Sequence, residues 1–509
     1  MKSDSGQTLS VWMATAELPQ SEPLRENTSA DVCIVGAGIA GLTTAYLLVR
    51  AGRSVVVLED GEIAGGETCR TTAHLSNALD DRYYELERLH GAVGARIAAA
   101  SHAAAIDQIE AIVRAENIEC SFSRVDGYLF VGSGDTPGTL DKELDAATRA
   151  GVMGVKRLAR APLDSFDTGP VLHFPMQGQF HVLQYLAGVA EAIRRAGGKI
   201  YCGTHVDRIK GGEAPEVGTS DGHTVRAKAL VVATNSPVND MVEMHTKQAA
   251  YRTYVVAAMI PRGTVPAMLL WDTEDPYHYV RLQSASDDDH DLLIVGGEDH
   301  KTGQADDAAD RYQRLENWTR QRFPQVESFA YRWSGQVLEP VDGLAFLGPN
   351  PLDKNVYIAT GDSGHGMTHG TIAGILLTDL ITGKENPWAA VYDPSRKSLK
   401  AFTELARENL NVALQYTDHL TGGDVGSVEE IRAGSGAIVR RGLKKIAAYR
   451  DEHGVLHERS AICTHLGCVV QWNSGEKSWD CPCHGSRFAT DGHVVNGPAT
   501  APLAKVEDS

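Results

Sequence analysis

Two short segments near the C-terminus restrict this chain more than any other feature. Cys463-Thr464-His465-Leu466-Gly467-Cys468 is followed, after fifteen intervening residues from His465 to Cys481, by Cys481-Pro482-Cys483-His484-Gly485-Ser486. Each segment offers a thiolate and an imidazole at tight spacing, the donor types of a metal centre. A Cys2His2 zinc site uses the same donors, but zinc modules usually pair Cys with Cys on one knuckle and His with His on the other. Here both knuckles are mixed. The chain from residue 424 is strand-rich, with turn signals at Asp451–Gly454, Asn473–Gly475 and Asp491–Gly492, which predicts a small all-β domain around the two segments.

A larger unit precedes it. Asp31–Val35 reads as a buried strand, and Gly36-Ala37-Gly38-Ile39-Ala40-Gly41 follows at once. A helical pattern runs from Leu42 to Ala51, and the strand Ser54–Leu58 ends in Glu59. This is a βαβ unit of dinucleotide-binding size. Gly36 permits the tight turn, Gly38 lets a pyrophosphate approach the backbone, and Gly41 lets the helix pack closely on the strand. The helix start, with Ala37 and Ile39, offers free N–H groups to phosphates, and Glu59 is placed to accept from a ribose hydroxyl. Beyond it the chain reads as mostly helical from about Tyr84 to Leu163, and as helix over Val182–Ala196. Lys199–Cys202, Ala229–Ala233 and Val356–Ala359 read as strands, and residues 250–335 alternate like an antiparallel sheet. A glycine-rich turn, Gly361–Met367, leads into the helix Thr371–Ile381, and Lys397–Thr417 predicts a tether helix before the boundary at Gly422-Gly423.

The 509 residues carry a formal charge of −18, which argues against nucleic acid or an anionic membrane surface as partner. No apolar run approaches a membrane span, and the N-terminus lacks a basic-then-apolar leader pattern. Cys33, Cys69, Cys120 and Cys202 are scattered without framework spacing, which suits a reducing cytoplasm.

The two cysteine–histidine segments, with Leu466-Gly467-Cys468 and Pro482-Cys483 in them, resemble those of a Rieske domain. The resemblance implies a [2Fe–2S] cluster, with Cys463 and Cys481 on the inner iron and His465 and His484 on the outer, exposed one. It also implies Cys468 and Cys483 as the disulfide pair that staples the cluster loops in one Rieske subclass, although reduced thiols would equally suit a cytoplasm. Ser486 matches a serine that hydrogen-bonds a cluster sulfur in high-potential members, and Phe488 stands where those members carry tyrosine. The missing donor implies an intermediate potential within the range of roughly −150 to +300 mV.

About residues 30 to 385 resemble the D-amino-acid-oxidase-like FAD oxidoreductases. The glycine fingerprint with Gly65-Gly66-Glu67-Thr68 and Arg70-Thr71-Thr72-Ala73-His74 carries part of the resemblance. The strand end Val231-Val232-Ala233-Thr234-Asn235 carries another, and Gly361–Met367 with Trp333-Ser334-Gly335 and Asp342-Gly343 a third. The resemblance implies FAD, with its adenosine near Gly36 and Glu59, Asn235 among its contacts, and its isoalloxazine near Thr72, Ala73, His74 and Leu75 and near Gly364, His365, Gly366 and Met367. His74 and His365 are then expected beside the ring, where an imidazole tunes it or handles a proton. His74 is alternatively a covalent anchor. Arg281, in the substrate sheet near Tyr277-His278-Tyr279, is a candidate partner for a substrate carboxylate, with a structural ion pair as the alternative.

The expected architecture is an N-terminal extension (1–29) and an α/β Rossmann-like FAD-binding domain with an α+β substrate domain (30–385, substrate sheet about 245–335). A helical linker (386–423) and a small all-β Rieske domain (424–509) complete it. The expected function is oxidation of an amine or amino-acid-like small molecule, with electrons passing through the cluster to an external acceptor. The alternative is an electron-transfer module that relays electrons between an outside redox partner and FAD.

Overall fold

The structure, a computed structural model, describes residues 5–239, 244–351, 353–397 and 402–506. The apolar runs Val32–Val35, Val55–Leu58 and Ala229–Val232 are buried at every position, as strands covered on both faces must be. They form the middle of a six-stranded sheet ordered Phe346–Pro349, Val356–Thr360, Ala229–Val232, Val32–Val35, Val55–Leu58, Lys199–Tyr201. It is parallel except for its first pair. Helix Ile39–Arg50 packs on helix Gly366–Thr382, and two glycines set the distance. A Cβ on Gly370 would lie 2.7 Å from Ile39 and one on Gly374 2.5 Å from Thr43. Both helices start inside their glycine turns, earlier than the periodicity from Leu42 and Thr371 indicates.

A second, nine-stranded sheet is built around Gln248–Pro261, which pairs antiparallel with His290–Lys301 and Ser328–Pro340. One sequence expectation is refined and another corrected here. The stretch from Tyr84 to Leu163 is mostly helical, as expected, but strand Ser123–Phe130 lies between helices Tyr83–Glu116 and Pro137–Ala150 and pairs with Val171–Gln179. The alanine-rich helix before it masks its short β-rich run. Helix Ala308–Arg322 also interrupts the 250–335 sheet. It is polar overall and buries only one face, through Ala308, Leu315, Trp318 and Thr319.

The tether contains helix Phe402–Gln415. The C-terminal domain is all-β: a three-stranded sheet over Ser435–Ser460 and a four-stranded one over Gln471–Asn496. The Cys468–Cys483 disulfide joins its two cysteine–histidine loops.

A buried polar knot fastens this domain to the rest. Glu476, 2% exposed, faces Arg70 Nη1 at 3.3 Å and Arg252 Nη1 at 3.9 Å, and accepts from Ser334 Oγ at 2.5 Å. The N-terminal residues complete the knot: the amides of Gln7 and Thr8 donate to Glu476 Oε2 at 2.7 and 3.0 Å. Burial alone would raise the Glu476 pKa, but Arg70, Arg252 and Arg487 outweigh it and hold the carboxyl below the usual glutamate range. Further along, helix Val11–Thr15 buries Trp12 against His181, with ring centroids 4.9 Å apart. Ser5 and Ser10–Met13 are therefore buried against the core, while Gln7, Leu9, Ala14 and Thr15 stay exposed.

Candidate active site and metal centre

A cavity of about 370 Å³ opens at the carboxyl ends of the parallel strands, where Val35, Leu58 and Ala233 pass into loops. Gly36, Gly38, Ile39 and Glu59 line it. Gly36 has φ +104°, and a Cβ there would sit 2.4 Å from the Ala233 carbonyl oxygen. Glu59 Oε2 accepts from the Ala37 N–H at 2.5 Å, which fixes the carboxylate over the loop. Ala37 and Gly41 shape the turn without lining the cavity. Asn235, held at φ +63°, is in the wall, and its buried Nδ2 has no hydrogen-bond partner. An unsatisfied donor beside a glycine cradle fits a nucleotide that is to be bound there.

Thr72, His74, Gly364, His365, Gly366 and Met367 line the other end of the cavity, as the sequence predicts. Ala73 and Leu75 do not. Leu75 follows His74 in the strand His74–Leu75 and so turns to the opposite face, against Gly178. Ala73 is fully buried and presents its carbonyl to Arg281. Arg281 is the main correction. Its guanidinium is 1% exposed and donates to the carbonyls of Thr72, Ala73 and Phe180 at 2.8–3.2 Å and to Gln283 Oε1 at 2.9 Å. It holds the Thr72–Ala73 backbone and does not reach the cavity to meet a carboxylate.

His74 is also engaged by the protein, through Nδ1 with Thr72 Oγ1 (3.0 Å) and Nε2 with the Val280 carbonyl (3.3 Å). Burial, reinforced by the Arg281 charge, pushes its pKa down to about 3, so the ring is neutral. His365 differs. Its Nε2 lies 3.0 Å from the Asp80 N–H and 3.3 Å from the Asp80 carboxylate, contacts that ask for opposite protonation of that nitrogen. Burial lowers its pKa, but the charges of Asp80, Asp81 and Asp362 prevail and raise it.

Sequence reading missed the acidic side chains here. Asp80, Asp299 and Glu339 line the cavity together with Tyr277 and Tyr279. Tyr277 donates to Asp80 Oδ2 at 2.7 Å, and Gly364 approaches both residues. Asp299 Oδ1 is buried without a hydrogen-bond partner, and burial pushes its carboxyl up to about 7. Burial and the neighbouring carboxylates likewise raise Glu339. No local motif marks these residues; the turn that holds Asp80, the start of strand Tyr279–Ser284 and the ends of the strands that hold Asp299 and Glu339 bring them together.

In the C-terminal domain Cys463 and Cys481 are both buried and interact through their thiols, and the rings of His465 and His484 stand 5.0 Å apart. His484 Nδ1 is buried without a hydrogen-bond partner, so a donor nitrogen is open to a metal. Two thiols, two imidazoles and an open ring nitrogen fit a [2Fe–2S] cluster. The histidines are not exposed, contrary to expectation: each is 7% exposed. His245 stacks edge-on against His465 at 5.1 Å, and residues 245–250 and 408–412 close over His484. The adjoining strand end enters the nucleotide cavity itself, with Val494, Val495, Asn496 and Gly497 in its wall.

Ser486, fully buried, accepts from the Ala499 N–H at 3.0 Å and interacts with the Cys463 thiol. Ser486→Ala removes a donor that favours the more negative, reduced cluster. The midpoint potential is expected to fall by ~50 mV, the equivalent of ~1 kcal/mol for one electron. A redox titration followed by electron paramagnetic resonance measures it, and an unchanged midpoint contradicts the assignment.

Known proteins agree with this division. Residues 31–380 match the family described as FAD dependent oxidoreductase, and residues 423–507 match the Rieske [2Fe-2S] domain. The putative Rieske 2Fe-2S iron-sulfur protein YhfW of Bacillus subtilis is 35% identical over 505 residues, covering 97% of each chain. Gamma-glutamylputrescine oxidoreductase of Escherichia coli is 29% identical over 378 residues, 71% of this chain and 86% of that one. Among solved structures, L-proline dehydrogenase from P. horikoshii superposes with a TM-score of 0.60 at 20% identity, covering 73% of this chain and 98% of that one. Glycine oxidase from Geobacillus kaustophilus gives 0.59 at 18%, covering 72% and 99%. Among the described residues no helix is long and apolar enough to cross a membrane.

Proposed function

The chain belongs to the FAD dependent oxidoreductase family and carries a Rieske [2Fe-2S] domain, and from that premise we propose that it oxidises a small cationic amine and passes the electrons through its own cluster to an outside one-electron acceptor. The acidic cluster at one end of the cavity carries this reading. Asp80, Asp299 and Glu339 offer an ammonium group three carboxyls, with Tyr277 and Tyr279 beside them. Among the described residues lining the cavity, Arg70 is the sole arginine and there is no lysine, and Arg70 is engaged by Glu476, Ser5 and Thr8. A substrate carboxylate finds no open cation there, so an amine is favoured over an amino acid.

Bound FAD supplies a two-electron acceptor, and Gly36, Gly38, Ile39, Glu59, Asn235, Thr72 and Gly364–Met367 are the residues proposed to hold it. Cys463, Cys481, His465 and His484 are proposed to hold the cluster. His74 is neutral and held on both nitrogens, which suits it to fix the cavity wall. His365, with its affinity for a proton raised by Asp80, is placed to accept one from the substrate nitrogen. Arg281 positions the Thr72–Ala73 backbone.

Anaerobic addition of primary and secondary amines should bleach the flavin, whereas amino acids of the same length should not. Bleaching by amino acids alone would overturn the amine reading. The affinity should also depend on pH. Asp299 loses its charge as pH falls through about 7, so the amine dissociation constant should rise about tenfold per unit below that point and level off above it. In Asp299→Asn the step near pH 7 should be lost, leaving the titration of Glu339 and His365, and binding should weaken by about 10- to 100-fold.

A further inference from the structure

Gln336 connects the cavity to the cluster loop. It is 2% exposed, lines the cavity, and donates through Nε2 to the Gly485 carbonyl at 3.0 Å. Gly485 is the residue after His484, inside a turn closed by Gly485 N–H to the Cys481 carbonyl (3.0 Å) and Cys481 N–H to the Ser486 carbonyl (2.8 Å). The other end of the carboxamide accepts from Thr302 Oγ1 at 3.2 Å. The Gln336 N–H donates to Glu67 Oε2 at 2.7 Å, while Glu67 Oε1 accepts from Asn496 Nδ2 at 2.9 Å. Glu67 and Asn496 also line the cavity, so Gln336 sits in a hydrogen-bonded seam between the two domains. The fit at Gly485 is tight: a Cβ there would lie 2.3 Å from Ala250 Cβ.

We propose that Gln336 is a positioning residue for electron passage, holding the His484 loop against the cavity so that the Rieske domain stays docked while it is reduced. This rests on the reading that reduced flavin feeds the cluster. Oxidation of an amine to an imine releases two electrons and two protons. One proton passes through His365, and both end in solvent. Each electron turns one ferric iron ferrous, and the outside one-electron acceptor returns the iron to ferric before the second electron follows. A seam that fixes both sides at once preserves the distance between donor and acceptor through both steps.

The test uses the holoenzyme, reduced anaerobically by light and a chemical photoreductant, so that no substrate is needed. Flavin bleaching is followed by absorbance and cluster reduction by freeze-quench electron paramagnetic resonance. In Gln336→Leu, flavin bleaching should keep its rate while cluster reduction slows by about fivefold to tenfold, the effect of losing one hydrogen bond of ~1 kcal/mol. The reduced cluster's g values should shift as the His484 loop relaxes. If the leucine variant fails to load its cofactors, Gln336→Asn, which keeps the amide but withdraws it by one methylene, is expected to give the same slowing. An unchanged rate of cluster reduction in a loaded variant overturns the proposal. A cluster that stays oxidised in the unaltered protein while its flavin bleaches overturns both this and the relay on which it rests. A failed amine assay with intact photoreduction overturns the substrate reading alone.

Discussion

Glu476→Gln is expected to cost the holoenzyme about 3–5 kcal/mol, the usual loss when one partner of a buried ion pair is neutralised. The substitution keeps the shape of the side chain but removes the carboxylate that faces Arg70 and leaves Arg252 with Asp480 alone, at 3.9 Å, both arginines being almost fully buried. It also weakens the acceptor that holds the Gln7 and Thr8 amides. Denaturant titration should show a lower midpoint, and the C-terminal domain should gain protease sensitivity. An unchanged midpoint would contradict the role given to this ion pair. The same group sets a pH dependence. The Glu476 pKa is lower in the folded protein than in the unfolded chain. Its contribution is therefore complete above the ordinary glutamate pKa and is lost as pH falls through the lowered folded value.

Gly41→Val is expected to empty the flavin site. A Cβ at Gly41 would lie 1.9 Å from the Gly36 carbonyl oxygen, and the obstacle is backbone, so no side-chain rotation relieves it. The helix must move off the first strand, which opens the turn that cradles the pyrophosphate. Overpacking on this scale predicts at least ~100-fold weaker FAD binding, or ~2.7 kcal/mol. Purified variant should lack flavin absorbance yet retain cluster signals, because Gly41 touches no residue of the C-terminal domain. A fully flavinylated variant would contradict the role given to this glycine.

Chemistry that needs neighbours in sequence was legible in advance. Gly36, Gly38, Gly41 and Glu59 share one βαβ unit, and each cysteine–histidine pair lies within a single loop. Contacts between distant residues left no local trace. Glu476 lies 406 positions from Arg70, and Gln336 lies 149 from Gly485, so neither pairing has a spacing that a sequence could display. Asp299 and Glu339 end ordinary strands, and only the fold brings them to one cavity. Arg281 misled in the opposite direction: arginine in a substrate sheet suggests a carboxylate ligand, but complete burial turned its donors to backbone carbonyls. His465 and His484 were expected in solvent because a cluster domain considered alone would expose them, and the flavin domain covers them instead.

The placement of Gln7 and Thr8 on Glu476 bears on how the molecule is made. Gln7 and Thr8 are fastened to a residue translated 469 and 468 positions after them. Until Glu476 is made those two amides lack this acceptor, although Arg70 of the flavin unit already reaches Ser5 Oγ, Thr8 Oγ1 and the Thr8 carbonyl. A nascent chain arrested before residue 476 should therefore lack hydrogen-exchange protection at the Gln7 and Thr8 amides.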